Sequence, residues 1–73
     1  MRGIGPITHK ERQILDMLAE YHTYEYMAKT LHISIYTVYN HISSIMIKTS
    51  IHKKEHLIKY AQEHGYGRKE ATA

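Results

Sequence analysis

The sequence predicts an all-α fold of four short helices, and three observations point there. Apolar residues recur at spacings of three and four, and no stretch alternates as a half-buried strand would. Thr8, Thr23 and Ser34 each stand just before such a run, where a hydroxyl can accept from a first-turn amide. Ala28 lies four residues before His32 and ten before Val38. That is the spacing of a helix-turn-helix: a small residue in the first helix, a special backbone position in the turn and a β-branched core residue in the second helix.

Residues 1–6 read as a Gly- and Pro-containing arm. Thr8-His-Lys-Glu11 fits a capping box and opens the first helix, whose apolar stripe is expected to be Ile14, Leu15, Met17, Leu18 and Tyr21. His22-Thr23 breaks it. The second helix is expected from about 24 to 31, with Met27, Ala28 and Leu31 inward. His32 falls in the turn, where positive φ is common and histidine is tolerated better than most residues. The third helix, about 35–48, follows the Ser34 cap and turns Val38, Ile42, Ile45 and Met46 inward, leaving Tyr36, Tyr39, Asn40, Ser43 and Ile47 on other faces. Ile51 packs inward. The fourth helix runs from about 53 to 64 and stops at Gly65. Residues 7–66 make one domain, and 67–73 read as a flexible tail.

A chain of 73 residues without cysteine has a small core and no disulfide or thiolate metal site to reinforce it, so association with a second copy is an expected source of stability. No apolar run approaches a membrane span and no signal-peptide pattern precedes residue 8, which reads as a cytoplasmic protein without membrane contact. The net charge of +3, with seven neutral histidines, leans toward a polyanionic partner. The distribution says more: residues 41–60 hold Lys48, Lys53, Lys54 and Lys59 against Glu55 alone.

With four helices placed, three stretches stand out: Ile7-Thr8-His9-Lys10-Glu11-Arg12-Gln13-Ile14-Leu15, the ungapped run from Met27-Ala28 through Leu31-His32-Ile33-Ser34 to Thr37-Val38 and His41, and Lys48-Thr49-Ser50-Ile51. On these motifs the chain resembles the LuxR/GerE-type DNA-binding domain of bacterial transcription regulators. The resemblance implies a stand-alone, sequence-specific regulator of transcription that binds double-stranded DNA as a homodimer packed through the fourth helix. It also implies that Tyr36, Tyr39, Asn40 and Ser43 face the groove, and that Glu11 pairs with Lys54, where the family has an arginine. The chain departs from the family at Tyr39, usually Lys or Arg, at Tyr36, often polar or charged, at Tyr21 and Ser50, usually Gly, and at Thr49, usually Leu.

Asn40 can engage adenine through one donor and one acceptor, Ser43 can meet several base edges, and tyrosine can touch a phosphate or a thymine methyl. Without a lysine at position 39, the preferred site is expected to tolerate A·T pairs. Phosphate contacts are expected from Lys29, Thr37, His41, Lys48, Lys53 and Lys54. Lys53 and Lys54 fall at the start of the fourth helix, where the dipole disfavours cations, and charge set against that preference fits an anionic partner. For the dimer, Leu57 is expected in the core and Ile58, Ala61 and His64 nearer the partner.

Chemistry of other kinds finds little footing. His52 and His56 share a helix face, but no third metal ligand is evident. No nucleophile–base pair, phosphate-cradling glycine loop or catalytic carboxylate pair stands out, so neither an enzyme nor a cofactor is expected. The rival reading belongs to another class. Tyr21, Tyr24, Tyr26, Tyr36 and Tyr39 make an aromatic-rich surface of the kind that holds proteins, so the same fold could bind a transcription factor or RNA polymerase without reading DNA itself.

Overall fold

In the computed structural model, which describes residues 5–67, the chain forms α1 (His9–Ala19), α2 (Tyr24–Leu31), α3 (Ile35–Thr49) and α4 (Lys54–Glu63). Most of the expected arm and tail, residues 1–4 and 68–73, lies outside the described residues. No helix among the described residues is long and apolar enough to cross a membrane.

Each of the first three helices starts at the hydroxyl that the sequence offers. The Thr8 hydroxyl accepts from the Glu11 amide at 3.2 Å, and the Glu11 carboxylate accepts from the Thr8 amide at 2.9 Å, which completes the capping box. Thr23 and Ser34 accept from the amides of Tyr26 and Thr37 at 3.0 and 3.1 Å. α4 has no such cap: Lys53 occupies the position and makes no side-chain hydrogen bond there.

Three chain reversals go through the left-handed region without glycine: Tyr21 at φ 65°, His32 at φ 58° and Ser50 at φ 60°. Each satisfies carbonyls at a helix end. The Ile33 amide donates to the Ala28 carbonyl at 3.0 Å, the Ile51 amide to the Met46 carbonyl at 3.1 Å and the His22 amide to the Met17 carbonyl at 3.0 Å. The turn role expected for His32 holds. Tyr21 corrects the expected α1 stripe: the helix has already ended at Ala19, so helical spacing no longer carries the ring inward, and Tyr21 is 72% exposed.

α1 packs on both α3 and α4, and α2 packs on α3. The core between them is Ile14, Leu15, Leu18 and Ala19 of α1, Met27 of α2, Val38, Ile42 and Ile45 of α3, and Leu57 and Ala61 of α4. Ala28, Leu31, Met46 and Ile51 pack against its rim, partly buried. Ala61 is another correction. It was expected toward a partner, but it is 0% exposed within the single chain, because its spacing of four from Leu57 puts it on the same inward face.

The C-terminal edge closes onto α1. The Gln62 side-chain amide donates to the Ala19 carbonyl at 3.0 Å, and the Gly67 amide donates to the Asp16 carboxylate at 2.8 Å. A Cβ at Gly67 would stand 2.9 Å from the Asp16 carbonyl oxygen and 3.0 Å from the Ala19 Cβ, so only glycine fits that approach. Gly67, assigned to the tail by the sequence reading, is thus part of the packed unit.

A buried ion pair ties the start of α1 to the end of α3. Lys48 Nζ lies 2.7 Å from Glu11 Oε1, with side chains 9% and 4% exposed, and it also donates to the Pro6 carbonyl at 3.0 Å. Burial pushes the Glu11 pKa up. Hydrogen bonds from Lys48, the Thr8 amide and Ser44, with the Lys48 charge, outweigh that and hold the carboxylate below its ordinary value. The expected Glu11–Lys54 pair is therefore replaced by Glu11–Lys48. Lys48 falls three residues after Ile45, on the inward side of α3, whereas Lys54 starts a different helix and reaches elsewhere.

Candidate nucleic-acid interface

The inward face of α3 is taken by Val38, Ile42 and Ile45, which leaves a continuous outward stripe. Tyr36, Tyr39, Asn40, Ser43 and Ile47 are all exposed there, Tyr36 at 75%, Tyr39 at 45% and Ile47 at 58%. The four residues expected at base edges thus share one accessible helix face. Ile47 adds an apolar tip to it, visible in the sequence only as an isoleucine off the core spacing.

This outer face carries no formal charge. The one lysine of α3 is Lys48, and its ammonium is held inside by Glu11 and Pro6. That corrects its place among the outward cations. The remaining lysines expected at phosphates stand on neighbouring elements: Lys29 is exposed on α2, and Lys53 and Lys54 are exposed at the start of α4. Thr37 and His41 are half-buried on α3, and the Thr37 hydroxyl shares a 3.0 Å hydrogen bond with Ser34.

The helix starts are joined by aromatic contacts that sequence spacing did not reveal. The Tyr24 ring, at the first position of α2, meets the Tyr39 ring edge-on, with centroids 5.4 Å apart and planes at 78°. Lys54 Nζ sits 4.4 Å from the centre of the Tyr24 ring, within cation–π range. Burial, and next the neighbouring Tyr39, raise the Tyr24 pKa, so its phenol stays neutral. Beyond this cluster, His22 stacks on Tyr26 at 4.0 Å and lies 3.4 Å from the Glu20 carboxylate.

The chain thus forms a helix-turn-helix whose second helix exposes a face of uncharged side chains, with exposed lysines on α2 and at the start of α4. The family model GerE, described as bacterial regulatory proteins of the luxR family, matches residues 6–61. The chain belongs to this family. No curated protein and no solved structure matches the chain. LuxR-family domains are DNA-binding regulators of transcription rather than enzymes, and the four-helix architecture here agrees with the family fold.

The departures from the LuxR-family pattern fall on three places. Tyr36 and Tyr39 stand on the outer face of α3. Tyr21 and Ser50, where glycine is usual, both hold the left-handed conformation. Thr49, usually leucine, is half-buried at the end of α3, its hydroxyl donating to the Ile45 carbonyl at 2.8 Å. The proposed partner-facing residues divide. Ile58 is half-buried and borders a shallow groove of about 390 Å³ with Tyr21, Glu55, Lys59 and Gln62. His64 is exposed, its ring stacked on Tyr60 at 4.0 Å and its Nδ1 donating to the Tyr60 carbonyl at 2.9 Å. Ala61 is in the core. Among the described residues no group of three histidine, cysteine, aspartate or glutamate side chains is placed to hold a metal ion.

Proposed function

We propose that this chain is a sequence-specific regulator that lays the outer face of α3 in the major groove of duplex DNA. The observation that carries the reading is the shared exposure of Tyr36, Tyr39, Asn40 and Ser43 on one face of a helix whose other face is fixed in the core. Asn40 is the side chain with bidentate capacity, and adenine is the base it matches. With tyrosine instead of lysine at position 39, the face lacks a charged reader of guanine, and the preferred site leans to A·T pairs. Lys29 from α2 and Lys53 and Lys54 from α4 supply the phosphate contacts, with Thr37 and His41 at the base of α3. Lys48 is left out, since its ammonium is engaged by Glu11.

The regulator acts as a two-fold dimer through the outer side of α4, around Ile58 and His64. Glu55 and Lys59 flank Ile58 with opposite charges, so an isologous pairing centred on Ile58 sets the acid of each copy against the lysine of the other. A two-fold protein then matches an inverted-repeat site, one α3 per half-site.

Selection of bound sequences from a random duplex pool, followed by titration of the selected site at several salt concentrations, tests the reading. The expected outcome is an A·T-leaning inverted repeat, with affinity falling as salt rises by about 0.9 log units per log unit of salt for each phosphate contact. No enrichment and no salt-dependent binding would refute it and favour a domain that holds another protein through its exposed tyrosines.

A further inference from the structure

Three side chains from three helices meet at one edge of the outer face of α3. Tyr24 opens α2, Tyr39 belongs to α3 and Lys54 opens α4. Tyr39 and Lys54 are exposed, while Tyr24 between them is half-buried. Tyr24 is thus the anchored member that touches both exposed ones, at 5.4 Å between the two rings and 4.4 Å from ring centre to ammonium. The contacts are electrostatically matched: a ring face attracts a cation, and edge-on rings set a positive rim against a negative face. Each contact removes rotamer freedom before any ligand arrives, which is how a preorganised site lowers the cost of binding.

Resting on the DNA-binding reading above, we infer that Tyr24 is a positioning residue for that reading. Its ring touches both the Tyr39 ring and the Lys54 ammonium, so that the group offered to a base edge and the cation offered to a phosphate are held through one anchored residue. The arrangement also links a cation, through the ring of Tyr24, to the α3 position where the family pattern carries Lys or Arg. Here tyrosine stands at 39, and the charge comes from α4, over the ring of Tyr24. Because the Tyr24 phenol stays neutral, its ring remains a π face for the lysine across the working pH range.

The test is affinity of wild type, Tyr24→Phe, Tyr24→Leu and Lys54→Met for the selected duplex and for a random duplex, each measured by fluorescence anisotropy across a salt series with helical content checked by circular dichroism. Tyr24→Phe keeps the ring and is expected to stay within about twofold of wild type on both duplexes. Tyr24→Leu is expected to lose about five- to tenfold on the selected duplex and less on the random one, and its salt slope should fall by about one contact. A residue that only supported the fold would weaken both duplexes alike and leave the slope unchanged. A folded Tyr24→Leu protein with wild-type preference and slope overturns the inference, and so does Tyr24→Phe behaving like Tyr24→Leu. If Tyr24→Leu does not fold, the exposed Lys54→Met variant decides. A drop in both slope and preference supports the coupled cluster, whereas loss of slope alone overturns it. Wild type that binds no duplex at all overturns the DNA-binding reading itself, and with it this inference, before any variant is compared.

Discussion

Replacing Lys48 with methionine removes one ammonium and keeps most of the stem that packs at the end of α3. Glu11 is 3% exposed, and its Oε1 would then keep the Thr8 amide at 2.9 Å but lose the cation at 2.7 Å. Breaking a buried pair by removing one partner costs about 3–5 kcal/mol, because the remaining charge is left in a poorly solvated place. The donors that persist, the Thr8 amide and Ser44, put the expected loss at the low end, about 3 kcal/mol. A domain of this size has only about 3–5 kcal/mol of stability from its core. Lys48→Met should therefore sit close to its unfolding midpoint at room temperature, which urea titration followed by circular dichroism would show. Adding Glu11→Gln to it removes the stranded charge and should recover much of the loss.

The pH dependence has a definite sign. The folded pKa of Glu11 is lowered, so in wild type its contribution is fully present above the unfolded-chain value and is lost as pH falls through the folded value. Acidification from about pH 5 downward should weaken wild type. In Lys48→Met the hydrogen bond and charge of the lysine are gone, and burial is opposed only by the Thr8 amide and Ser44, so the folded pKa moves up from its wild-type position. Ionised Glu11 then contributes less stability at neutral pH, and acid has less of it to remove. The gap between the two proteins should narrow on acidification. A Lys48→Met variant within about 0.5 kcal/mol of wild type at pH 7, or a gap that widens in acid, would refute this reasoning.

Other substitutions probe the turns, the groove face and the dimer. Ser50→Gly relieves a left-handed serine, worth about 1–2 kcal/mol, and adds unfolded-state entropy of about 0.4–1 kcal/mol, so a thermal melt should rise by a few degrees; a fall would mean that Ser50 is not strained. Asn40→Ala should cost about 1–3 kcal/mol on the selected duplex and relax one position of the site, while equal losses on selected and random duplexes would remove Asn40 from base reading. Ile58→Glu should shift sedimentation equilibrium toward monomer with helical content retained. A wild type that is monomeric both free and on its site would end the dimer proposal.

The helices were legible because their ends are written in single residues. Thr8, Thr23 and Ser34 cap where their hydroxyls stand, His32 takes the turn, and the inward residues of α3 follow from spacings of three and four. What failed were inferences about direction in space. Tyr21 was counted with α1 because spacing alone does not announce a left-handed stop when the residue is not glycine. Ala61 was set toward a partner because α4 looked too apolar for one side, yet it is completely buried within the single chain. Lys54 was paired with Glu11 by resemblance. The signal for Lys48 was in the sequence, since three residues after Ile45 is an inward position, but it competed with the expectation that lysines face water. The Tyr24–Tyr39–Lys54 contacts join residues far apart in the chain, and no local pattern encodes them.

The fates of the lysines divide the proposed labour between elements. Lys48 is turned inside and Lys54 lies across a ring, so α3 presents only neutral groups outward and the cations stand on α2 and α4. Phosphate attraction weakens with salt through counterion release, whereas hydrogen bonds and methyl contacts from neutral side chains carry no such term. The same flanking lysines serve selected and random duplexes alike. Affinity for both should therefore fall with salt in parallel, while their ratio changes little wherever the neutral face of α3 alone sets it. The part of the ratio that does fall with salt isolates whatever the Lys54 ammonium adds through its contact with the Tyr24 ring.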